Sequence, residues 1–214
     1  MDFENQYVTQ TYNQIARHFD STRYGVWPGV SQFIESLATE SRVVDVGCGN
    51  GKNMLHRKDL QMRGCDSSEE MVRICQEKGL DVTVANNIDL PYNDNQFDAA
   101  LSVAVIHHLS TSKRRSQALG ELVRIVRPGG RVFVQVWATG QKLAKGKDQQ
   151  IGERDSLVSW NLKDSAQVYK RFYHFYEEGE LERELSGIPD IQIVRSFYES
   201  GNWGVEIQKI TRSL

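Results

Sequence analysis

Residues 43–53, VVDVGCGNGKN, set glycine at every second position of a turn that follows an apolar stretch: Gly47, Gly49 and Gly51. Glycine accepts positive φ and carries no Cβ, so a nucleotide-like ligand can lie against bare backbone there. The dinucleotide pattern G-x-G-x-x-G requires its third glycine at position 52, where this chain has Lys52. Asp66 closes a second apolar stretch, LQMRGCD, nineteen residues after Gly47. A carboxylate there can hold the two hydroxyls of a ribose. Turn and aspartate together point to an adenosine-bearing cofactor. The bland alternative is a glycine turn that only permits tight strand-to-helix packing. Asp45 is expected to fix the turn by accepting backbone amides.

The elements that must position these groups follow from periodicity. Val8, Tyr12, Ile15 and Phe19 recur at helical spacing and predict an N-terminal helix with one apolar stripe. Pro28, followed by Val30, Phe33, Ile34 and Leu37, starts a second helix. After Asp66, SSEEMVRICQEKG predicts a helix with Ser67 and Glu70 as capping box, Met71 and Ile74 buried, and Gly79 as its stop. DVTVAN, FDAALSVAV and RVFVQVW read as the third to fifth strands, the last entered through the turn 127–130, and residues 110–126 as a helix between the last two. This succession predicts an α/β fold, a mostly parallel sheet flanked by helices with its ligand site at the carboxyl ends of the strands. IQIVRSFY and WGVEIQKI, around the turn 199–202, predict an antiparallel hairpin that closes the sheet. Residues 141–164 are polar and basic and predict a loop. No linker divides residues 1–214, so one domain is expected.

A net charge of −2 gives no global attraction to nucleic acid, so phosphate contact requires a local patch or a partner. Cys48, Cys65 and Cys75 lack metal-type spacing, which predicts buried thiols in a reducing compartment and no metal. MDFENQYVTQ has no basic stretch followed by an apolar core, and no apolar run reaches membrane-spanning length. A cytoplasmic or nuclear chain is expected.

The glycine turn, the acidic end of strand two, a polar residue after strand three and the terminal hairpin together resemble the Rossmann-like S-adenosylmethionine-dependent methyltransferases, over nearly the whole chain. Within that group, SVAVIHHLSTSKRR (102–115), RFYHFYEEGEL (171–181), YESGNWGVEI (198–207) and TRYGVWP (22–28) are similar to the eukaryotic tRNA wobble-uridine carboxymethyl methyltransferases. The double histidine, RFYHFY and GNW are the specific part. The resemblance implies a seven-stranded sheet and methyl transfer to the carboxylate of 5-carboxymethyluridine at the tRNA wobble position, giving the methyl ester. It also implies a small zinc-binding activator subunit as heterodimer partner. Asp66 and Ser67 would meet the ribose. Asn86 stands where aspartate is usual, and its amide oxygen can still accept from the adenine amino group. Tyr12, Arg17 and Trp27 would cover the cofactor from the N-terminal side.

A sulfonium methyl is a strong electrophile and a carboxylate is ionised at neutral pH, so this displacement needs alignment more than a base. His107 and His108, ending strand four, and Arg23 are the candidates to orient the carboxymethyl group, with one of the two imidazoles expected only to pack. RNA contact calls for cations interleaved with aromatics. Lys142, Lys145, Lys147, Arg154, Trp160, Lys170, Arg171, Tyr173 and His174 supply them in one stretch, the alternative being a solvated basic loop. Asn202 and Trp203 are further substrate candidates. The edge strand Val82 to Asn86, beside Met71 and Ile74, is the expected dock for the activator by strand addition. A small-molecule O- or C-methyltransferase of the same fold, or a non-catalytic docking module, would share these cofactor features.

Overall fold

The computed structural model describes residues 2–140, 148–162 and 167–210. Strands β1 (Arg42–Val46), β2 (Gln61–Asp66), β3 (Val82–Val84), β4 (Phe97–Val103) and β5 (Val126–Trp137) pair in parallel. With β9 (Ile191–Glu199) and β10 (Asn202–Lys209), they form one seven-stranded sheet in the order β3-β2-β1-β4-β5-β10-β9. β10 runs antiparallel to both β5 and β9, the expected closing hairpin. Val43, Val44, Ala99, Ala100, Leu101, Val132, Phe133 and Val134 are buried because helices cover both faces, the reason these strands read as continuous apolar runs. The segment 127–130 lies inside β5 as an irregularity in its register with β4, between the pairs Phe97–Val126 and Ala99–Arg131.

A π-type segment, Asn5–Thr9, runs directly into α1, Gln10–Asp20. α2 (Pro28–Glu35) begins on its proline, and α3 (Glu69–Glu77) follows β2. α4 (Ser112–Ile125) joins β4 to β5, capped by the Thr111 hydroxyl, and α5 (Glu180–Leu185) precedes the hairpin. Two expectations about α3 are corrected. Its cap is Ser68, whose hydroxyl accepts the Met71 amide at 3.2 Å, whereas Ser67 takes a hydrogen bond from the Thr9 hydroxyl at 3.4 Å. Met71 and Ile74 offer no surface to a partner, because Tyr12, Ala16 and Phe19 of the N-terminal helix pack over them.

The loop expected at residues 141–164 is also corrected where it is described. β6 (Gln149–Gln150), β7 (Asp155–Asn161) and β8 (Val168–His174) form a second, antiparallel sheet, with Leu157 opposite Phe172 and Trp160 opposite Tyr169. Leu157, Val158 and Trp160 are buried, the last against His18 and Phe19 of α1. Lys142, Lys145 and Lys147 lie outside the described residues. β8 packs on α1 and on the short turn after β4, so the second sheet roofs the carboxyl edge of the first. Among the described residues no helix is long and apolar enough to cross a membrane.

Candidate active site

β1 delivers the chain into the glycine turn at the carboxyl edge of the main sheet, beside a cleft of about 320 Å³. Gly47, Gly49 and Gly51 have φ of +77°, +54° and +76°. A Cβ on Gly47 would overlap both γ carbons of Val105, and one on Gly51 would overlap Leu80, so these two glycines also serve packing. Gly49 differs. It lines the cleft, and only the Phe19 ring, at 3.5 Å, approaches the place of its missing Cβ.

Asp66, not Asp45, fixes the turn. Its Oδ2 accepts the Gly49 amide and its Oδ1 the Ser68 amide, each at 2.9 Å. Asp45 is fully buried, with Oδ2 accepting from Asn53 Nδ2 at 3.2 Å and Oδ1 unpartnered. The reason for the exchange is position: Asp66 ends β2 level with the turn, whereas Asp45 lies within β1 among its apolar neighbours. Burial pushes the Asp45 carboxyl up to about 7 against the Asn53 hydrogen bond, with the Asp66 charge adding. Burial also raises Asp66, against the amides of Ser68, Gly49 and Ser67. Each Asp66 oxygen keeps a lone pair, which suits two ribose hydroxyls. Ser67 and Asn86 line the same half of the cleft, but the Asn86 Oδ1 already accepts the Ile88 amide at 3.2 Å. The open backbone at Gly49 and the twice-anchored Asp66 fit an adenosine-bearing cofactor.

The other half of the cleft lies over the ends of β4 and β5. Ala104 leaves β4 at φ 61°, a sparsely populated conformation for a residue with a Cβ, held by its amide bond to the Gln135 carbonyl at 2.8 Å. The 3-10 turn Ile106–His108 then separates the two histidines. His107 is wholly buried and does not line the cleft: its Nδ1 accepts the Trp137 amide at 3.1 Å and its ring stacks on Tyr173. His108 does line it. Its Nδ1 faces the Phe172 carbonyl at 2.6 Å, and a carbonyl only accepts, so the proton sits on Nδ1. Nε2 is left to accept the Tyr12 hydroxyl at 3.0 Å. Burial holds both rings well below the ordinary histidine range. His108 falls to about 3, opposed by the Phe172 carbonyl and helped by the Arg171 charge.

Tyr12, Trp27, Arg171 and Tyr173 line the cleft as well, and Arg23 stands exposed at its mouth. The Arg23 guanidinium lies 5.0 Å from the Trp160 ring, whose indole N–H donates to His18 Nδ1 at 3.0 Å. Other candidates are engaged elsewhere. Arg17 forms a two-pronged pair with Glu77 at 2.7 Å, tying α1 to α3 on the outer surface instead of covering a cofactor. Arg154 pairs with Glu180 and Glu177, and His174 is buried between Asp155 at 2.6 Å and Glu180 at 2.9 Å. Asn202 Nδ2 donates to the Glu199 and Ser200 carbonyls and locks the hairpin, while Trp203 packs on the core and on Tyr198.

Sequence reasoning missed Lys52, Asn53, Trp137 and Glu4, all of which line the cleft. Lys52 lies 5.2 Å from the Trp27 ring and donates to the Gly25 carbonyl at 2.8 Å. Trp137 was findable as an aromatic at the end of the fifth strand. Glu4 carried no signal, because its partners Ser110 and Arg114 lie more than a hundred residues away.

A glycine turn after β1, an acid anchoring it from the end of β2, and this strand order are the fold of the S-adenosylmethionine-dependent methyltransferases. The methyltransferase-domain family model matches residues 44–134. The CcbJ methyltransferase of Streptomyces caelestis has the same fold, with a TM-score of 0.76 at 16% identity over 95% of this chain and 99% of its own. A structure of a methyltransferase in complex with the Trm112 activator of Haloferax volcanii gives 0.69 at 13% identity, over 100% of both chains. Sequence relatives are nearer. A tRNA (carboxymethyluridine(34)-5-O)-methyltransferase of Arabidopsis thaliana is 48% identical over 97% of this chain and 81% of its own length. One of Schizosaccharomyces pombe is 37% identical over 98% and 99%. Vertebrate relatives of that name are longer, and the chain spans 41% of the one from Xenopus tropicalis, at 35% identity over 97% of this chain. The chain belongs to the tRNA (carboxymethyluridine(34)-5-O)-methyltransferase family.

Proposed function

We propose that this chain transfers the methyl group of S-adenosylmethionine to the carboxylate of 5-carboxymethyluridine at the tRNA wobble position, giving the methyl ester, as catalytic subunit with a small activator protein. The observation that carries the reading is the state of His108. An acceptor that must lose a proton needs a base beside it, and the imidazole lining this cleft is a poor one: burial pushes it down to about 3, and its free lone pair already accepts the Tyr12 hydroxyl. A carboxylate is already ionised, so a cleft built to orient and not to deprotonate suits it. The names of two relatives, of whose length this chain covers 81% and 99%, supply the acceptor's identity.

The cofactor, when bound, supplies an electrophilic sulfonium methyl. Asp66 and Ser67 are the groups for its ribose, Asn86 for its adenine edge, and Gly49 for the backbone beneath it. Tyr12 and Trp27 flank it. RNA contact is best served by the cleft mouth, where Arg23, Lys52 and Trp27 adjoin Tyr24, which is 75% exposed. Arg154 is spent in an ion pair with Glu180, and His174 in hydrogen bonds to Asp155 and Glu180, so neither is part of it. The activator suits the open side of β3, the sheet's edge strand, where Thr83 and Val84 are exposed. The solved complex of a same-fold methyltransferase with an activator supports a partnered enzyme.

The test is mass spectrometry of wobble nucleosides after incubating carboxymethyl-bearing tRNA and cofactor with the chain, alone and with the activator. Methyl ester is expected with both proteins present. Its absence under every combination would overturn the reading.

A further inference from the structure

Arg171 is buried to 6% exposure, yet no carboxylate among the described residues forms an ion pair with it. The other arginine buried as deeply, Arg115, pairs with Glu184 at 2.7 Å and Glu180 at 3.8 Å. The acid whose field reaches Arg171, Asp148, accepts the Ser159 amide instead. Among the described residues, the side chains that touch Arg171 are neutral: Nη1 donates to the Tyr173 hydroxyl at 2.7 Å and meets the Tyr12 hydroxyl at 3.5 Å. Its cation lies 4.7 Å from the Trp160 ring and 5.1 Å from that of Tyr173. Nε is buried with no partner at all. Removing a guanidinium from water without an anion is costly, so a fold that holds one in a ligand cleft has left the anion to the ligand.

Position decides which anion. The cofactor features lie at the ends of β1, β2 and β3, whereas Arg171, with Tyr173, His108 and Trp137, lies over the ends of β4 and β5. We propose that Arg171, steadied by Tyr173 and Tyr12, seats the carboxylate that is to be methylated and makes the cleft select the free acid over its neutral amide and ester. The proposal rests on the function given above and names the group that recognises its acceptor. One carboxylate oxygen sits at the cation; the other forms the O–CH3 bond as the S–CH3 bond breaks with its electron pair going to sulfur, and no proton moves. The ester is neutral, so its hold on Arg171 falls when the reaction is complete.

The test uses the full chain with its activator and S-adenosylhomocysteine. Its readout is the affinity for an anticodon stem-loop bearing 5-carboxymethyluridine against one bearing the isosteric carbamoylmethyl amide. The wild type is expected to prefer the acid by about tenfold or more. Arg171→Gln is expected to bring that ratio near one while cofactor affinity stays within about twofold. Arg171→Lys keeps the charge but loses the planar fork, and is expected to fall between. Equal binding of acid and amide by the wild type overturns the proposal, with no variant needed. So does an unchanged ratio in Arg171→Gln, or a collapse of cofactor affinity that leaves the ratio intact. Failure of the wild type to form any ester sinks the function and this inference together, whereas an ester-forming enzyme whose ratio ignores Arg171 sinks this inference alone.

Discussion

A carboxyl buried in β1 with one oxygen unpartnered makes stability depend on pH. In the folded chain Asp45 titrates at about 7, against an ordinary value near 3.9 once unfolded. Below pH 4 both states hold the proton and burial carries no ionic cost. Between pH 4 and 7 the unfolded state ionises first, so stability falls as pH rises, and above 7 the loss levels off, on the order of 4 kcal/mol. Asp45→Asn keeps the shape and an acceptor for Asn53. It is expected to be more stable than wild type in urea at pH 8, with the gap closing toward pH 5; a gap that ignores pH would refute this account. The paired histidines divide in the same physical terms. His107→Ala removes the Trp137 cap and the stack on Tyr173, and is expected to cost about 3 kcal/mol of stability. His108→Ala is expected to cut methyl transfer by about tenfold or more with cofactor affinity near wild type. Unchanged turnover in His108→Ala would remove it from the site.

At the scale of elements, the glycine turn is tied to the next loop through Val105. Gly47→Ala would place a Cβ at positive φ against the stiff branched side chain of Val105, one residue before the 3-10 turn that carries both histidines. The expected cost is about 3 kcal/mol, with Tm lower by roughly 6–12 °C and cofactor binding weakened, as read by thermal melts with and without ligand. The five parallel strands and the hairpin were legible because their apolar runs and alternation are local. β7 was not. Leu157, Val158 and Trp160 are buried only once β7 has paired with β8 and Trp160 has packed on His18 and Phe19 of α1, and read alone their segment is polar. The cap of α3 shifted by one residue for a related reason, since Asp66 holds the Ser68 amide and leaves its hydroxyl to the helix.

For the whole molecule, a net charge of −2 gives no global attraction to nucleic acid, so the proposed RNA contact rests on the local cations at the cleft mouth, and the proposed docking of an activator on the open edge of the sheet. The Ala85 amide bonds the Asp66 carbonyl at 3.0 Å, so alternation turns the Val84 amide toward the open side of β3. Val84→Pro therefore removes an outward donor without breaking the pairing to β2. It is expected to weaken activator binding about tenfold or more, and with it ester formation, while the far-ultraviolet melt of the chain alone stays near wild type. Undiminished binding in a pull-down or titration would place the activator elsewhere.

By itself the sequence determined the fold class, the glycine turn with an acid at the end of the next strand, and the hairpin. Periodicity and the left-handed freedom of glycine are properties of neighbouring residues. Only the tertiary structure decided which histidine faces the cleft, that Asp66 and not Asp45 holds the turn, that Arg17 and Arg154 are spent in ion pairs and His174 in hydrogen bonds to two acids, and that no acid among the described residues pairs with Arg171. Those outcomes depend on which charges and hydrogen-bonding groups meet across long stretches of chain, and no local spacing encodes a partner that folding alone brings near.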